Sequence, residues 1–285
     1  MSPEISDLYE KYAHGAMDRR EFLGKLAALA GGTAAAAALL PALESGGAAS
    51  QIVPKDDPRL ETGYIEYKGA SGKVRAYSAR PKGAGKLSGV IVIHENRGLN
   101  PHTEDIARRA ALEGFMAIAP DALSPFGGTP ENPDEARPLF GKLDGEKNKK
   151  NFVAAVAYLK THPQATGKVG CMGFCWGGGV TNQVAVNAPD LAAAVPFYGM
   201  QPAVEDVPKI KAAMLLHYAG DDARIDAGIP AFEEALKKAG VDYKICMYEG
   251  AGHAFMNDTG TRYNKEAAEL AWQRTVAFLR EKLKA

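Results

Sequence analysis

The run Gly173-Phe174-Cys175-Trp176-Gly177 constrains this chain more than any other stretch. It follows a strand-like segment, Lys168 to Met172, and opens onto Gly177-Gly178-Gly179. A strand that passes straight into a helix must turn sharply. Glycines on both flanks let the backbone turn and let the helix pack close to the sheet. The spacing is that of a nucleophile elbow, G-x-S-x-G, with cysteine in place of serine. Such a turn lifts Cys175 to the top of a sheet, and the helix N-terminus beneath it favours a thiolate.

An elbow needs partners, and they follow in order. Ala212 to Gly220 reads as a strand and leads into Asp221-Asp222-Ala223-Arg224-Ile225. An acid just past a strand end suits an orienting carboxylate. Asp222 is preferred over Asp221 because Ile225 stands at the expected apolar spacing, and Asp226 reads as a helix cap. Asp242 to Gly250 reads as a last strand, followed by Ala251-Gly252-His253-Ala254-Phe255. His253 would reach across the sheet top. The order nucleophile, acid, histidine is that of the α/β-hydrolase fold.

The chemistry needs all three groups. A thiol with a pKa of about 8.5 is mostly protonated at neutral pH. An imidazole can take that proton, and a carboxylate fixes the imidazole's tautomer. Attack on a carbonyl creates an oxyanion that needs preplaced donors. The N–H of Trp176, after the nucleophile, is one. The second is assigned to Asn96, in the loop Glu95-Asn96-Arg97-Gly98 that follows a buried strand ending in His94. Glu95 stands where a carboxylate could contact the thiol or the imidazole, the alternative being a salt bridge to Arg97 or another loop arginine. Tyr198, at the end of the next strand, is a candidate pocket residue, with a plain core tyrosine as the other reading.

Glu95 after a strand, Gly173 to Gly178, Asp222 and Gly252-His253-Ala254-Phe255 together resemble the dienelactone hydrolase family, from about residue 60 to the C-terminus. The resemblance implies a Cys175-His253-Asp222 triad that opens a small ester or lactone through an acyl-cysteine. It also implies that Glu95 contacts the resting thiol. An arginine for a substrate carboxylate is available at Arg97. No cofactor is implied. A thiol redox protein using Cys175 and a non-catalytic binding domain on the same fold are the competing readings.

The front end resembles an export signal. Asp18-Arg19-Arg20-Glu21-Phe22-Leu23-Gly24-Lys25 looks like a twin-arginine motif. A mildly apolar segment from Leu26 to Leu43 and small residues up to Ser50 follow, with cleavage expected after Ala49. Residues 1–50 are therefore set apart from one domain at 51–285. The implied partner is the twin-arginine translocation machinery, and the implied location is periplasmic or secreted. No stable membrane span is expected after cleavage.

A formal net charge of zero gives no reason to expect a nucleic-acid partner. The three cysteines are too few for a disulfide framework, and Cys171 and Cys246 read as buried apolar residues. His94, His102, His162, His217 and His253 lack metal-ligand spacing, so no metal is expected. The remaining pattern alternates. A hairpin is expected at 63–68 and 73–80. Strands are expected at 88–94, 115–120, 168–172, 192–198, 212–219 and 242–249. Helices fit 102–113, 145–161, 177–187, 227–239 and 263–283. The last has Ala267, Leu270, Ala271, Val276, Leu279 and Leu283 on or near its apolar side. Residues 121–137 read as a long loop. The fold class is α/β, a mostly parallel sheet with helices on both faces.

Overall fold

Buried strands of alternating side-chain direction dictate two cores, one on each face of a sheet. The computed structural model describes residues 3–13, 17–44 and 52–284. Its strands are β1 (Leu60–Gly69), β2 (Gly72–Pro81), β3 (Leu87–Ile93), β4 (Met116–Pro120), β5 (Ala165–Phe174), β6 (Ala193–Phe197), β7 (Ala213–Asp221) and β8 (Tyr243–Gly252). Among the described residues these eight strands form one sheet, ordered β1-β2-β4-β3-β5-β6-β7-β8. The β1–β2 hairpin pairs antiparallel to β4, and the other pairings are parallel. The fold class thus agrees with the pattern of the sequence.

Val90 and Val92 of β3 join the core on one face, and Ile91 and Ile93 join the other. The first face is covered by α4 (Pro101–Leu112) and α10 (Lys265–Leu283). The second is covered by α6 (Gly145–Thr161), α7 (Trp176–Asn187) and α9 (Ile229–Ala239), with the short α8 (Ala223–Asp226) at its edge. Helix starts follow the caps. Asn100 accepts from the Thr103 N–H at 2.9 Å with Pro101 behind it, Asp144 from Lys147 at 3.1 Å, and Asn264 from Ala267 at 3.1 Å. In α10, Leu270 turns outward and is 42% exposed, so it does not belong to the apolar side.

The stretch expected to be one long loop is not one. A single 3₁₀ turn forms at Ser124–Phe126, and α5 runs from Pro133 to Phe140. Pro133 starts α5, where a proline costs nothing because its missing N–H would be unpaired anyway. The rest is organised by the buried Asp121 carboxylate, which accepts from the Leu123 and Thr129 N–H groups and from the Thr129 hydroxyl, all at 2.7–2.9 Å.

The described part of the expected signal folds as α1 (Pro3–Ala13), α2 (Arg19–Ala30) and α3 (Thr33–Glu44). These helices share an apolar cluster of their own that includes Leu8, Tyr12, Phe22, Leu26 and Leu43. Asp18 caps α2 by accepting from the Glu21 N–H at 2.8 Å, and Gly31 ends it at φ 84°. No described single helix is long and apolar enough to cross a membrane. Arg19–Ala30 and Thr33–Leu40 reach that length and composition together, but bent by 110°. The expected cleavage point after Ala49 lies outside the described residues.

The chain re-enters the main domain through a buried charge pair. Asp105 on α4 accepts from the Ile52 and Val53 N–H groups at 3.1 and 2.8 Å. Arg108, fully buried, donates to the Val53 carbonyl at 2.8 Å and the Tyr77 hydroxyl at 3.0 Å. Its charge is balanced by Asp105 at 3.4 Å. Removing Asp105 takes a buried carboxylate away from Arg108, from Arg109, which it meets at 2.5 Å, and from the Ile52 and Val53 N–H groups. Asp105→Ala should therefore lower unfolding free energy by about 3–5 kcal/mol, read from urea denaturation. A loss below about 1 kcal/mol would show that the pair contributes only as a surface bridge does.

Candidate active site

Cys175 is the single residue between β5 and α7. Its backbone sits at φ 55° and ψ −114°, a conformation that L-residues avoid. The glycines around it allow no substituent. A Cβ on Gly173 would lie 2.3 Å from the Gly177 carbonyl oxygen, one on Gly177 2.4 Å from that of His94, and one on Gly178 2.4 Å from that of Phe197. The Cys175 N–H donates to the Phe197 carbonyl at 3.0 Å, which locks the turn to β6.

His253 follows β8 directly and Asp222 follows β7 directly. The His253 Nδ1–H donates to Asp222 Oδ2 at 2.5 Å, with both side chains buried. Burial works against the Asp222 charge, but the hydrogen bond and charge of His253, with Arg224 nearby, hold its carboxyl below the usual range. Asp226 is not the cap expected of it. It ends α8, while Gly228 precedes α9, and burial with the Asp222 charge pushes its carboxyl up.

The Cys175 thiol is held well above its ordinary pKa. Burial is the main cause, and the negative charge of Glu95 is the next. The Trp176 N–H and the Arg224 cation pull the other way but do not win, and Asp222 raises it further. The resting thiol is therefore protonated. Glu95 is fixed by a hydrogen bond from the Asn257 amide to Oε2 at 2.8 Å, while its Oε1 is buried without a hydrogen bond among the described residues. Its pairing is thus with Asn257 and not with Arg97, which lies 5.4 Å from the Tyr9 ring centroid. Asn96, half-buried, is next to Glu95 in the same loop.

That loop is pinned by His94. Its Nδ1–H donates to the Glu95 carbonyl at 2.6 Å, and its Nε2 accepts from the Ala122 N–H at 3.1 Å. Burial lowers its pKa, so the ring is neutral. The imidazole also stacks on the Trp176 indole, centroids 5.4 Å apart at 8°. Tyr198 is fully buried, with φ 37° and its ring 5.0 Å from that of His253. Burial first, then the Glu95 charge and the Cys175 thiol, push its phenol well up. Tyr198 is therefore both a core residue and part of the site.

Asn257, His94 and Arg224 escaped the sequence reading. Asn257 is four residues after His253, and only the loop's curl brings it to Glu95. Arg224, two residues after Asp222, could have been noted as the one cation beside the expected acid.

Removing the Glu95 charge favours the thiolate. Glu95→Gln should move the iodoacetamide labelling of Cys175 to lower pH and speed it at pH 7. Asn257→Ala, which frees Glu95 from its tether, should shift the same profile by a smaller amount. Superimposable profiles for wild type and Glu95→Gln would show that this carboxylate does not control the thiol.

A family model described as dienelactone hydrolase family matches residues 74–283, and one described as YqhI-like matches residues 1–31. A Saccharolobus solfataricus protein named "Putative carboxymethylenebutenolidase" is 39% identical, covering 76% of this chain and 97% of its own. A Bradyrhizobium protein named "Probable 2-oxo-3-(5-oxofuran-2-ylidene)propanoate lactonase" is 33% identical, covering 74% and 91%. The crystal structure titled "Putative Dienelactone Hydrolase" from Klebsiella pneumoniae superposes with a TM-score of 0.70 at 29% identity, over 78% of this chain and 99% of that one. The esterase rPPE shares the fold over 99% of both chains, with a TM-score of 0.68 at 16% identity. The chain belongs to the dienelactone hydrolase family and is a hydrolase built on the α/β-hydrolase fold.

Proposed function

We propose that this chain hydrolyses a small ester or lactone through an acyl-cysteine formed on Cys175. The observation that carries the reading is the strained Cys175 elbow at the same sheet end as the buried His253–Asp222 pair. The names of its relatives, a carboxymethylenebutenolidase and a lactonase, support lactones as the substrate class.

In this mechanism substrate entry displaces Glu95 from the thiol. The Cys175 proton passes to His253, whose Nδ1–H stays on Asp222 and whose charge that carboxylate stabilises. Sulfur then attacks the carbonyl carbon. The oxyanion takes hydrogen bonds from the Trp176 and Asn96 N–H groups. Collapse breaks the C–O bond, and the leaving oxygen collects the proton from His253. With a lactone the leaving hydroxyl stays on the same molecule, so the ring opens while still bound. Water, deprotonated by His253, then cleaves the thioester and returns the thiol. Arg97 and Tyr198 would line the substrate side.

A redox role for Cys175 leaves the His253–Asp222 pair without a task. Cys171 is no resolving thiol for it either, because it packs in the core on the other sheet face against Thr181.

Cys175→Ala should lower kcat on short-chain esters and lactones by about 10⁴ or more, whereas Cys171→Ala and Cys246→Ala should keep most activity. Full turnover by folded Cys175→Ala protein would end the acyl-cysteine reading.

Export is a separate proposal. Arg19 and Arg20 are exposed on the first turn of α2, where a translocase could read them. Replacing both with lysine should strand the chain in the cytosol. Unchanged delivery across the membrane, followed by fractionation and immunoblot, would refute the address.

A further inference from the structure

The helices ahead of the hydrolase domain meet it at its site end. Tyr9 and Tyr12 lie three residues apart on α1, so they share a face. Both rings are fixed from behind by Phe22. Tyr12 stacks on it at 4.4 Å and 8°, and Tyr9 meets it edge-on at 5.8 Å. Each tyrosine also meets a guanidinium of the main domain. Arg97 Cζ is 5.4 Å from the Tyr9 centroid, and Arg137 Cζ is 5.1 Å from that of Tyr12.

These two arginines belong to the two segments that flank the nucleophile. Arg97 is two residues from Glu95, whose charge acts on the Cys175 thiol. Arg137 lies one helical turn before Phe140 on α5, and the Phe140 ring packs 5.0 Å from that of Trp176. One helix thus bridges the Glu95 loop and α5. Both arginines are half-buried, and neither is paired with a carboxylate among the described residues. A ring laid against a guanidinium leaves its in-plane N–H donors open, which suits an oxyanion. The unit is also tethered nearby, because Ile52 and Val53 are held by Asp105 of α4, the helix that follows the Arg97 loop.

We propose that α1–α3 stay with the enzyme as a roof over the cationic side of its substrate entrance. Tyr9 and Tyr12 act as positioning residues for Arg97, the arginine that the family resemblance already offers to a substrate carboxylate, and for Arg137. The inference rests on the hydrolase reading for its substrate, but not for the retention of the helices.

The test uses the full chain and two esters, neutral p-nitrophenyl butyrate and the anionic mono-p-nitrophenyl ester of glutaric acid. The readout is the ratio of their kcat/KM values. In Tyr9→Leu/Tyr12→Leu the preference for the anionic ester should fall by about three- to tenfold, through KM, as expected for two lost ring–cation contacts. Tyr9→Phe/Tyr12→Phe keeps the rings and should stay within about twofold of wild type. An unchanged ratio in folded Leu variant overturns the roof, and so does an equal fall in the Phe variant. If the Leu variant does not fold, Arg137→Gln replaces it and should lower the same ratio. The second measurement is the intact mass of the chain recovered from its own cells. A chain that retains α1–α3 supports the roof, and one that begins after Ala49 overturns it whatever the kinetics show. A wild type that cleaves neither ester counts against the proposed acyl-cysteine cleavage of esters, and the mass then decides on the roof alone.

Discussion

The contact on which the rest depends is backbone against backbone at the sheet's centre. A Cβ on Gly199 would lie 2.2 Å from the Gly178 carbonyl carbon, and one on Gly178 2.4 Å from the Phe197 oxygen. No side chain other than hydrogen fits between the start of α7 and the end of β6. That closeness holds the helix against the strand ends. It also forces the two non-glycine residues beside it, Cys175 and Tyr198, into the left-handed region. The strain is a cost of about 1–3 kcal/mol at each. It persists because the glycine contacts and the Cys175 N–H bond to Phe197 leave the backbone no other path.

What surrounds the elbow divides by charge. On one side the His253–Asp222 pair forms a buried donor–acceptor unit whose carboxylate is stabilised by that hydrogen bond. On the other, burial first and the negative charge of Glu95 second keep the Cys175 thiol protonated. A low-dielectric cleft strengthens both effects. In the proposed mechanism the nucleophile is thus silent at rest, and the proposed base is already oriented by its carboxylate. Asn257 and His94 supply the geometry, one gripping the Glu95 carboxylate and the other its carbonyl.

Much of this was legible in the residues. Buried runs such as Val90 to Ile93 announced parallel strands, and G-x-C-x-G announced the turn between β5 and α7. The spacing after β7 and β8 led to Asp222 and His253, which the fold brings within one hydrogen bond. The rest depended on contacts between distant segments. Nothing local to Asn257 speaks of Glu95, which is 162 residues away. Proline and glycine around residues 121–137 read as loop, because a helix starting at Pro133 has the same first residue as a turn. The front end read as an address because arginine pairs and alanine runs carry that signature. That its helices share an apolar cluster follows only from the bend at Gly31 and Gly32, which folds α3 back on α2.

His94 has one more consequence. Its neutral ring donates through one nitrogen and accepts through the other, so protonation would turn the Ala122 N–H from a partner into an opponent. Burial places that event below the ordinary imidazole range. The folded chain therefore binds this proton less readily than the unfolded one, and acidification from about pH 6.5 downward draws on the stability of the fold. Above that range the clasp between the β3 and β4 ends does not titrate. It acts as a mechanical datum, a fixed point from which the moving protons of the cleft are measured.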